Sequence, residues 1–474
     1  MNLPAAFERQ MRQLLGDDYD NLRQALLDDP AVSIRLNTAK LTPPAPTTAD
    51  DPVPWATEAR YLEERPQFTF DPLLHAGCYY VQEASSMFVE QAVRQHLGGR
   101  ARVALDLCAA PGGKSTLLRS LLPEECILVS NEVMRPRAQV LAENITKWGH
   151  PRCIVTSNYP ADFTRLGGLF DLIVVDAPCS GEGMFRKDET AVAEWSPEGV
   201  EVCWRRQRDI ITDTWPTLRP GGLLIYSTCT FNTEEDERNV RWMMDELEAE
   251  LLPIATDEAW GIAPSFVEGV EHVYRFLPGR TRGEGFFLAA LRKPADTALE
   301  EEATTQARHT KRKRDKGTPS TCALPWGERD EAWITHAEDY ACRMVGTDIV
   351  ALPKDMVATY DMLAERLHIV RAGIALAEQK GRDAIPSHEL AMSTELSPTA
   401  FARCELSYAD ALRYLRREAI VLPTDVPRGF VIVTYREVPL GFVKNLGTRA
   451  NNLYPNEWRI RSSHLPDEEV RVVV

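Results

Sequence analysis

The stretch DLCAAPGGKSTLL, Asp106 to Leu118, follows directly on the apolar run Val103-Ala104-Leu105. An apolar run, a Gly-rich turn and then KSTLLRSLL predict a strand that breaks into a tight turn and a helix. Gly113-Lys114-Ser115 is also how a phosphate-cradling P-loop ends. A P-loop, however, needs a glycine five residues before the Gly of its Gly-Lys pair, so that its amides curl around phosphate. Cys108 stands there instead, and Pro111 inside the turn has no amide to donate. The dinucleotide fingerprint GxGxxG is missing as well. The stretch therefore predicts a ligand-binding turn at the carboxyl end of a parallel strand, built for something other than a nucleoside triphosphate.

On both sides the chain alternates in the manner of a doubly wound sheet. VALDLCA, CILVSNE, CIVTSN, DLIVVDAP and GLLIYSTC read as five buried parallel strands, with helices such as RAQVLAENITKWG between them. EHVYRFL and GFFLAALR read as a closing antiparallel pair. The expected fold class is α/β, a doubly wound Rossmann-like sheet with a small N-terminal α+β region and a C-terminal β-rich module. Five segments are expected: the leading α+β region 1–70, the sheet domain 71–293, a charged linker 294–323, a mixed α+β piece 324–394 and the β-rich, barrel-like module 395–474. The linker has few large apolar residues, and its basic HTKRKRDK reads first as a solvated face, with phosphate contact as the alternative.

Composition bounds the function. At 474 residues, 44% hydrophobic and 26% charged, the chain is an ordinary globular protein of two or three domains. It has no apolar run long enough to span a membrane, and MNLPAAFERQMRQLL reads as an amphipathic helix rather than a signal peptide. Ten cysteines without C-x-x-C pairs argue against a zinc site and a disulfide framework, so no metal and a reduced, cytoplasmic setting are expected. A net charge of −16 argues against non-specific DNA coating but leaves room for a local basic groove.

Chemistry concentrates at strand ends, which face one crevice in an open parallel sheet. The first strand ends in Cys108, Ala109, Ala110, Pro111, Gly112, Gly113 and Lys114, where the glycines admit close backbone approach. Glu132 ends the second strand, eighteen residues past Lys114, where a carboxylate accepts from ribose hydroxyls; Asn158 ends the third. A ribose-binding acid without a phosphate loop points to a nucleoside lacking phosphates, and S-adenosylmethionine is the expected cofactor. Asp176 and Cys179 follow the fourth strand, and Cys229 ends the fifth. Cys78, Cys126, Cys153, Cys203, Cys342 and Cys404 read as inert hydrophobes. Two cysteines at neighbouring tips suit methylation of pyrimidine C5. A thiolate adding to C6 makes C5 nucleophilic, an acid such as Asp176 stabilises the adduct, and a base then removes the C5 proton. The target base must be unpaired or flipped.

DLCAAPGGKS, NEV, DAPCSGEGMFRKD, PGGLLIYSTCT and GEGFFLA, with YYVQEASSM upstream, resemble the successive motifs of the Nop/Sun family of RNA cytosine-C5 methyltransferases. The resemblance to its RsmF-like bacterial subgroup runs over nearly the whole chain, including a PUA-like C-terminal module. It implies a methyltransferase fold, S-adenosylmethionine as methyl donor and RNA as partner, 16S ribosomal RNA or the small ribosomal subunit, with a monomeric enzyme. By resemblance Cys229 is the nucleophile and Cys179 the product-release cysteine. Cys108 to Lys114, Glu132, Asn158 and Asp176 form the cofactor set, and Lys187 in FRKD contacts base or phosphate. His75 and Gln82 resemble positions near the site, though as plain residues they read first as packing or loop-fixing. Arg35 and Asn37 either hold RNA or cap a strand. Tyr454, Trp458, Arg459 and Arg461 combine aromatic and basic groups as RNA contacts do, or form a small core with an Arg edge. Two positions depart from the family: Asn158 where relatives often carry Asp, and Pro278-Gly279 where many have His. Other readings stay open: a transfer-RNA target, a DNA cytosine methyltransferase using the Pro-Cys cysteine as nucleophile, or a catalytically silent ribosome-assembly protein.

Overall fold

The computed structural model describes residues 3–41, 51–296, 325, 332–462 and 464–473. The linker expected at 294–323 falls almost wholly outside these residues. Strands β1 (Val32–Leu36), β2 (Ala59–Leu62) and β3 (Tyr79–Val81) form an antiparallel sheet, with β1 in the middle. The helix Ala5–Leu15 precedes them and buries Phe7 and Met11. The sheet takes its third strand from past residue 70, which ties the leading region to the central domain.

The central sheet has nine strands. Its parallel part is β4 (Val103–Asp106), β5 (Ile127–Asn131), β6 (Cys153–Thr156), β7 (Phe170–Asp176) and β8 (Leu218–Thr228). β9 (Glu250–Leu252), β10 (Val273–Phe276) and β11 (Phe286–Arg292) come next, and β11 lies antiparallel between β8 and β10. The five expected parallel strands and the closing pair are all present. Successive residues along each strand point to opposite layers. Ala104, Leu128, Leu172 and Ile225 pack against the helices Gly113–Leu121 and Arg135–Trp148 through Leu117, Leu118, Leu141 and Ile145. Leu105, Val129, Ile173 and Leu224 pack on the other side with Phe163, Ile211 and Met243. Burial on both faces is why these strands read as continuous apolar runs.

Beyond the linker, β12 (Tyr340–Val345), β13 (Asp348–Pro353), β15 (Ile374–Lys380) and β16 (Asp383–Pro386) make a four-stranded sheet. The strand between them, β14 (Ile369–Ala372), leaves that sheet and pairs antiparallel with β6, as the ninth strand of the central one. The helix Val357–Ala364 buries Tyr360 and Leu363 in the second layer of the central sheet. The stretch 324–394, read from sequence as a piece of its own, is thus partly built into the core of the central sheet. The last sheet is β17 (Ala402–Glu405), β18 (Gly429–Tyr435), β19 (Val438–Asn445) and β20 (Ala450–Asn452), with the helix Tyr408–Leu415 against it. Among the described residues no helix is long and apolar enough to cross a membrane.

Candidate active site at neighbouring strand tips

Neighbouring parallel strands in the order β8-β7-β4-β5-β6 bring their carboxyl ends to one edge. The turn after β4 is fixed by backbone bonds to its neighbours: Leu107 N–H donates to Val174 O at 2.9 Å and Ala109 N–H to Asn131 O at 2.8 Å. Gly112 has φ +120°, a value that favours glycine, and a Cβ there would come 3.3 Å from Leu141. The helix starting at Gly113 carries Lys114 into the crevice, where its Nζ lies 2.9 Å from Asp176 Oδ2. Burial works against the Lys114 charge, but Asp176 outweighs it, and the ammonium is held above its ordinary pKa. Ser227 Oγ donates to the other oxygen of Asp176 at 2.9 Å.

The two cysteines meet. Cys179 Sγ lies 3.1 Å from Cys229 Sγ, and the Cys229 N–H points at Cys179 Sγ from 3.4 Å. A disulfide would need about 2.05 Å, so these are two thiols in contact. The hydrogen bond with Cys229, followed by burial, holds the Cys179 pKa well above that of an ordinary thiol. The loop that carries Cys179 is anchored from beneath. Ser180 N–H and Gln207 Nε2 donate to Glu235, and Trp195 Nε1 and Phe231 N–H donate to Glu182. Gly183 N–H donates to Cys229 O at 2.9 Å, and a Cβ on Gly183 would lie 2.7 Å from Gly285 O. Only glycine fits between these backbones, which explains the pair of glycines in GEGM and GEGFF.

Three carboxylates surround the turn. Asp106 is fully buried; burial first, then the charges of Asp176 and Glu132, push its pKa up to about 7 against the pull of Ser115 and Lys114. Its Oδ2 accepts from Ser115 Oγ, while Oδ1 is buried with no partner among the described residues. Glu132 is buried, accepts from Met134 N–H and pairs with Arg137 at 3.3 Å. Arg137 also donates to Ala110 O at 2.9 Å, joining Glu132 to the Gly-rich turn. Burial raises the Cys108 thiol pKa, so it stays neutral. The orphan oxygen, the glycine cradle and the buried acid at the β5 tip fit a nucleoside bearing a positive charge, as S-adenosylmethionine does. Glu132 and the backbone from Ala109 to Gly113 are the groups that would hold it.

Several expected residues are placed elsewhere. Asn158 lies at the β6 tip, but its amide is bound to the backbone of His368: Nδ2 donates to His368 O at 3.1 Å and Oδ1 accepts from His368 N–H at 2.9 Å. One amide hydrogen is left for an adenine. Lys187 pairs with Glu284 at 3.2 Å, beside Arg186, and among the described residues no hydrogen bond or ion pair joins it to Asp176 or the cysteines. Arg35 and Asn37 are buried and cannot touch RNA. Arg35 donates to Gln82 Oε1 and Thr116 Oγ1, bracing the turn from behind; Asn37 donates to Gly77 O and Trp148 O. His75 is likewise structural, at 2.8 Å from Thr69 O and 3.4 Å from Tyr454 Oη. Tyr454 is 1% exposed and belongs to the core of the C-terminal module, whereas Arg459 and Arg461 are exposed.

Sequence reasoning missed Arg137, Ser227, Asn131 and His368. One signal was present: Arg135 and Arg137 occupy the first turn of a helix, where the macrodipole favours acids.

Three family models match successive parts of the chain: the N-terminal domain of 16S rRNA methyltransferase RsmF over 3–84, 16S rRNA methyltransferase RsmB/F over 99–292, and the methyltransferase RsmF PUA domain over 401–460. Ribosomal RNA small subunit methyltransferase F of Shigella boydii serotype 4 is 31% identical over 483 residues, covering 96% of each chain. The protein of the same name from Cronobacter sakazakii is 30% identical with the same coverage. The structure of NSun6 from Pyrococcus horikoshii with SFG shares the fold, at TM-score 0.52 and 20% identity, over 63% of this chain and 99% of that one. A methyltransferase homolog protein from the same organism aligns at TM-score 0.52 and 27% identity, over 61% of this chain and 94% of that one. With domain models in the same order from end to end and kinship at this level over nearly the full length, the chain belongs to the RsmF family of ribosomal RNA small subunit methyltransferases.

Proposed function

We propose that this enzyme methylates C5 of a cytosine in 16S ribosomal RNA through a covalent bond between Cys229 and C6. The observation that carries the reading is the 3.1 Å contact of the two sulfurs beside the Lys114–Asp176 pair. S-adenosylmethionine, when bound, supplies the methyl group on a positively charged sulfonium. The thiol contact holds a proton on Cys179, which leaves Cys229 as the sulfur that attacks C6, its own proton passing to solvent as the S–C6 bond forms. The proton shared by Lys114 and Asp176 neutralises the charge that reaches N3, so C5 becomes enamine-like and can take the methyl group.

Release needs a base for the C5 proton. The largest influence keeping the proton on Cys179 is its hydrogen bond to Cys229. Once the Cys229 sulfur is bonded to C6 that partner is gone, and Cys179 can lose its proton and take the one from C5. The C5=C6 double bond then re-forms, the Cys229 thiolate leaves and takes a proton back from solvent, and the N3 proton returns to the Lys114–Asp176 pair. The net change is one proton released per methyl group.

The test is bisulfite mapping of 16S ribosomal RNA from cells with and without this protein, together with tritiated methyl transfer to small subunits from the deficient cells. One cytosine or more should lose its methyl mark in the deficient cells. Cys229→Ala should abolish transfer, whereas Cys179→Ala should trap RNA on the protein in a complex that survives detergent. An unchanged cytosine map would overturn ribosomal RNA as substrate, and adduct formation by Cys229→Ala would overturn the assignment of the nucleophile.

A further inference from the structure

A cavity of about 360 Å³ opens beside Cys179, large enough for a small ligand. Ser180 and Met184 bound it on the loop side, and Ser196, Gly199 and Cys203 bound it from the first two turns of the helix Pro197–Thr214. Cys179 is therefore shared between this cavity and the sulfur pair. Gly199 is helical, and a Cβ added there meets nothing nearer than Ser196 Oγ at 3.4 Å. The backbone does not require glycine at this position; what the glycine provides is space.

The lining is chemically mixed. Met184 and Trp195 offer apolar contact, and the carboxylates of Asp188 and Glu194 are acceptors that suit amino groups and repel phosphate. A cation lies just outside. Arg206 is exposed one turn beyond Cys203 on the same helix face. Burial raises the Cys203 thiol to about 11; Glu235 and, more weakly, Cys229 add to this, while Arg206 opposes it, so both Arg206 and Cys229 act on Cys203 at electrostatic range.

We propose that this cavity is a second nucleotide site, which takes the base adjacent to the target cytosine in an unpaired RNA strand and places the linking phosphate at Arg206. The proposal rests on the reading of the enzyme as an RNA cytosine methyltransferase. A flipped target loses its stacking neighbours, and a pocket beginning at Cys179 holds the next base where the stack no longer can.

The test compares wild-type, Gly199→Leu and Arg206→Ala full-length enzymes in tritiated methyl transfer from S-adenosylmethionine to 16S ribosomal RNA in deficient small subunits. Leucine fills the cavity in a residue that favours helix. Gly199→Leu should raise the RNA KM about tenfold, the loss of one base contact, with kcat within about twofold and S-adenosylmethionine affinity unchanged. Arg206→Ala should raise KM and flatten its salt dependence. In the wild-type protein, bound RNA should slow alkylation of Cys203, a readout that needs no variant to fold. An active wild-type enzyme whose variants keep its KM, with Cys203 alkylation indifferent to RNA, overturns the second site. Loss of kcat at unchanged KM also overturns it, because the cavity would then serve the chemistry. If the wild type methylates no RNA, the underlying reading fails and takes this one with it.

Discussion

Asp176 is held from two sides, by the Lys114 ammonium and the Ser227 hydroxyl, both at 2.9 Å. Asp176→Asn keeps the shape but leaves Lys114, 12% exposed, without a counter-charge. Breaking a buried pair from one side costs about 3–5 kcal/mol. Asp176 is itself 37% exposed, so a loss of about 1–3 kcal/mol is expected in urea unfolding. Methyl transfer should fall at least about 100-fold, because an amide cannot pass the Lys114 proton on to N3. Arg137 separates binding from chemistry. Arg137→Ala frees both the Ala110 carbonyl and Glu132, and calorimetry should show S-adenosylmethionine binding weakened about fivefold, near 1 kcal/mol, with RNA binding unchanged. The cysteine pair could be read from the sequence because parallel strands put their tips together whatever the loops do. Arg137 could not, because its contact with Ala110 spans 27 residues and depends on how one helix sits over one turn.

The elements of the sheet were legible wherever burial on both faces wrote an apolar run, as in DLIVVD. Strand β14 was not. Its residues Ile369 to Ala372 are only half-buried, and nothing local says that they desert their neighbours β13 and β15 for the edge of β6. Asn158 and the His368 backbone form the clasp of that edge. Asn158→Asp keeps the acceptor but cannot donate to the His368 carbonyl and sets a charge against it. Hydrogen exchange over residues 367–372 should quicken, and stability should drop by about 0.5–1.5 kcal/mol, the worth of one hydrogen bond, since the His368 carbonyl still accepts from Ser157 N–H at 3.0 Å. An exchange pattern equal to wild type would mean that the strand is held by its β6 pairing alone.

At the scale of the molecule, regions far apart in sequence share their cores. Leu73 of the short helix Pro72–His75, and Ala76 at its end, pack with Leu412, Tyr414 and Tyr454 of the C-terminal module. Composition alone cannot show this, because an interface between two modules uses the same apolar residues as a core within one. Histidines sit in the seam. His75 touches Thr69 and Tyr454, and His388 stacks edge-on against Tyr454 and Trp458, both its ring nitrogens buried and, among the described residues, unpartnered. Burial first, then the charge of Lys147, lowers His75 to about 4 and His388 to about 3. An unfolded histidine titrates near 6.5. Below that value the unfolded chain binds protons that the folded seam refuses, so stability is complete above about pH 6.5 and falls as pH drops toward 4. For His388 alone the loss at pH 5 is about 2 kcal/mol, from 1.5 pH units at 1.36 kcal/mol each. His388→Phe keeps a flat ring and removes two unsatisfied nitrogens, so it should be neutral or stabilising at pH 7.5. At pH 5 it should exceed the wild type by about 2 kcal/mol in urea unfolding, and its stability should vary less steeply with pH. Parallel pH profiles for the two proteins would mean that His388 is protonated equally in the folded and unfolded chains, and that the acid sensitivity of the seam, if any, belongs to His75.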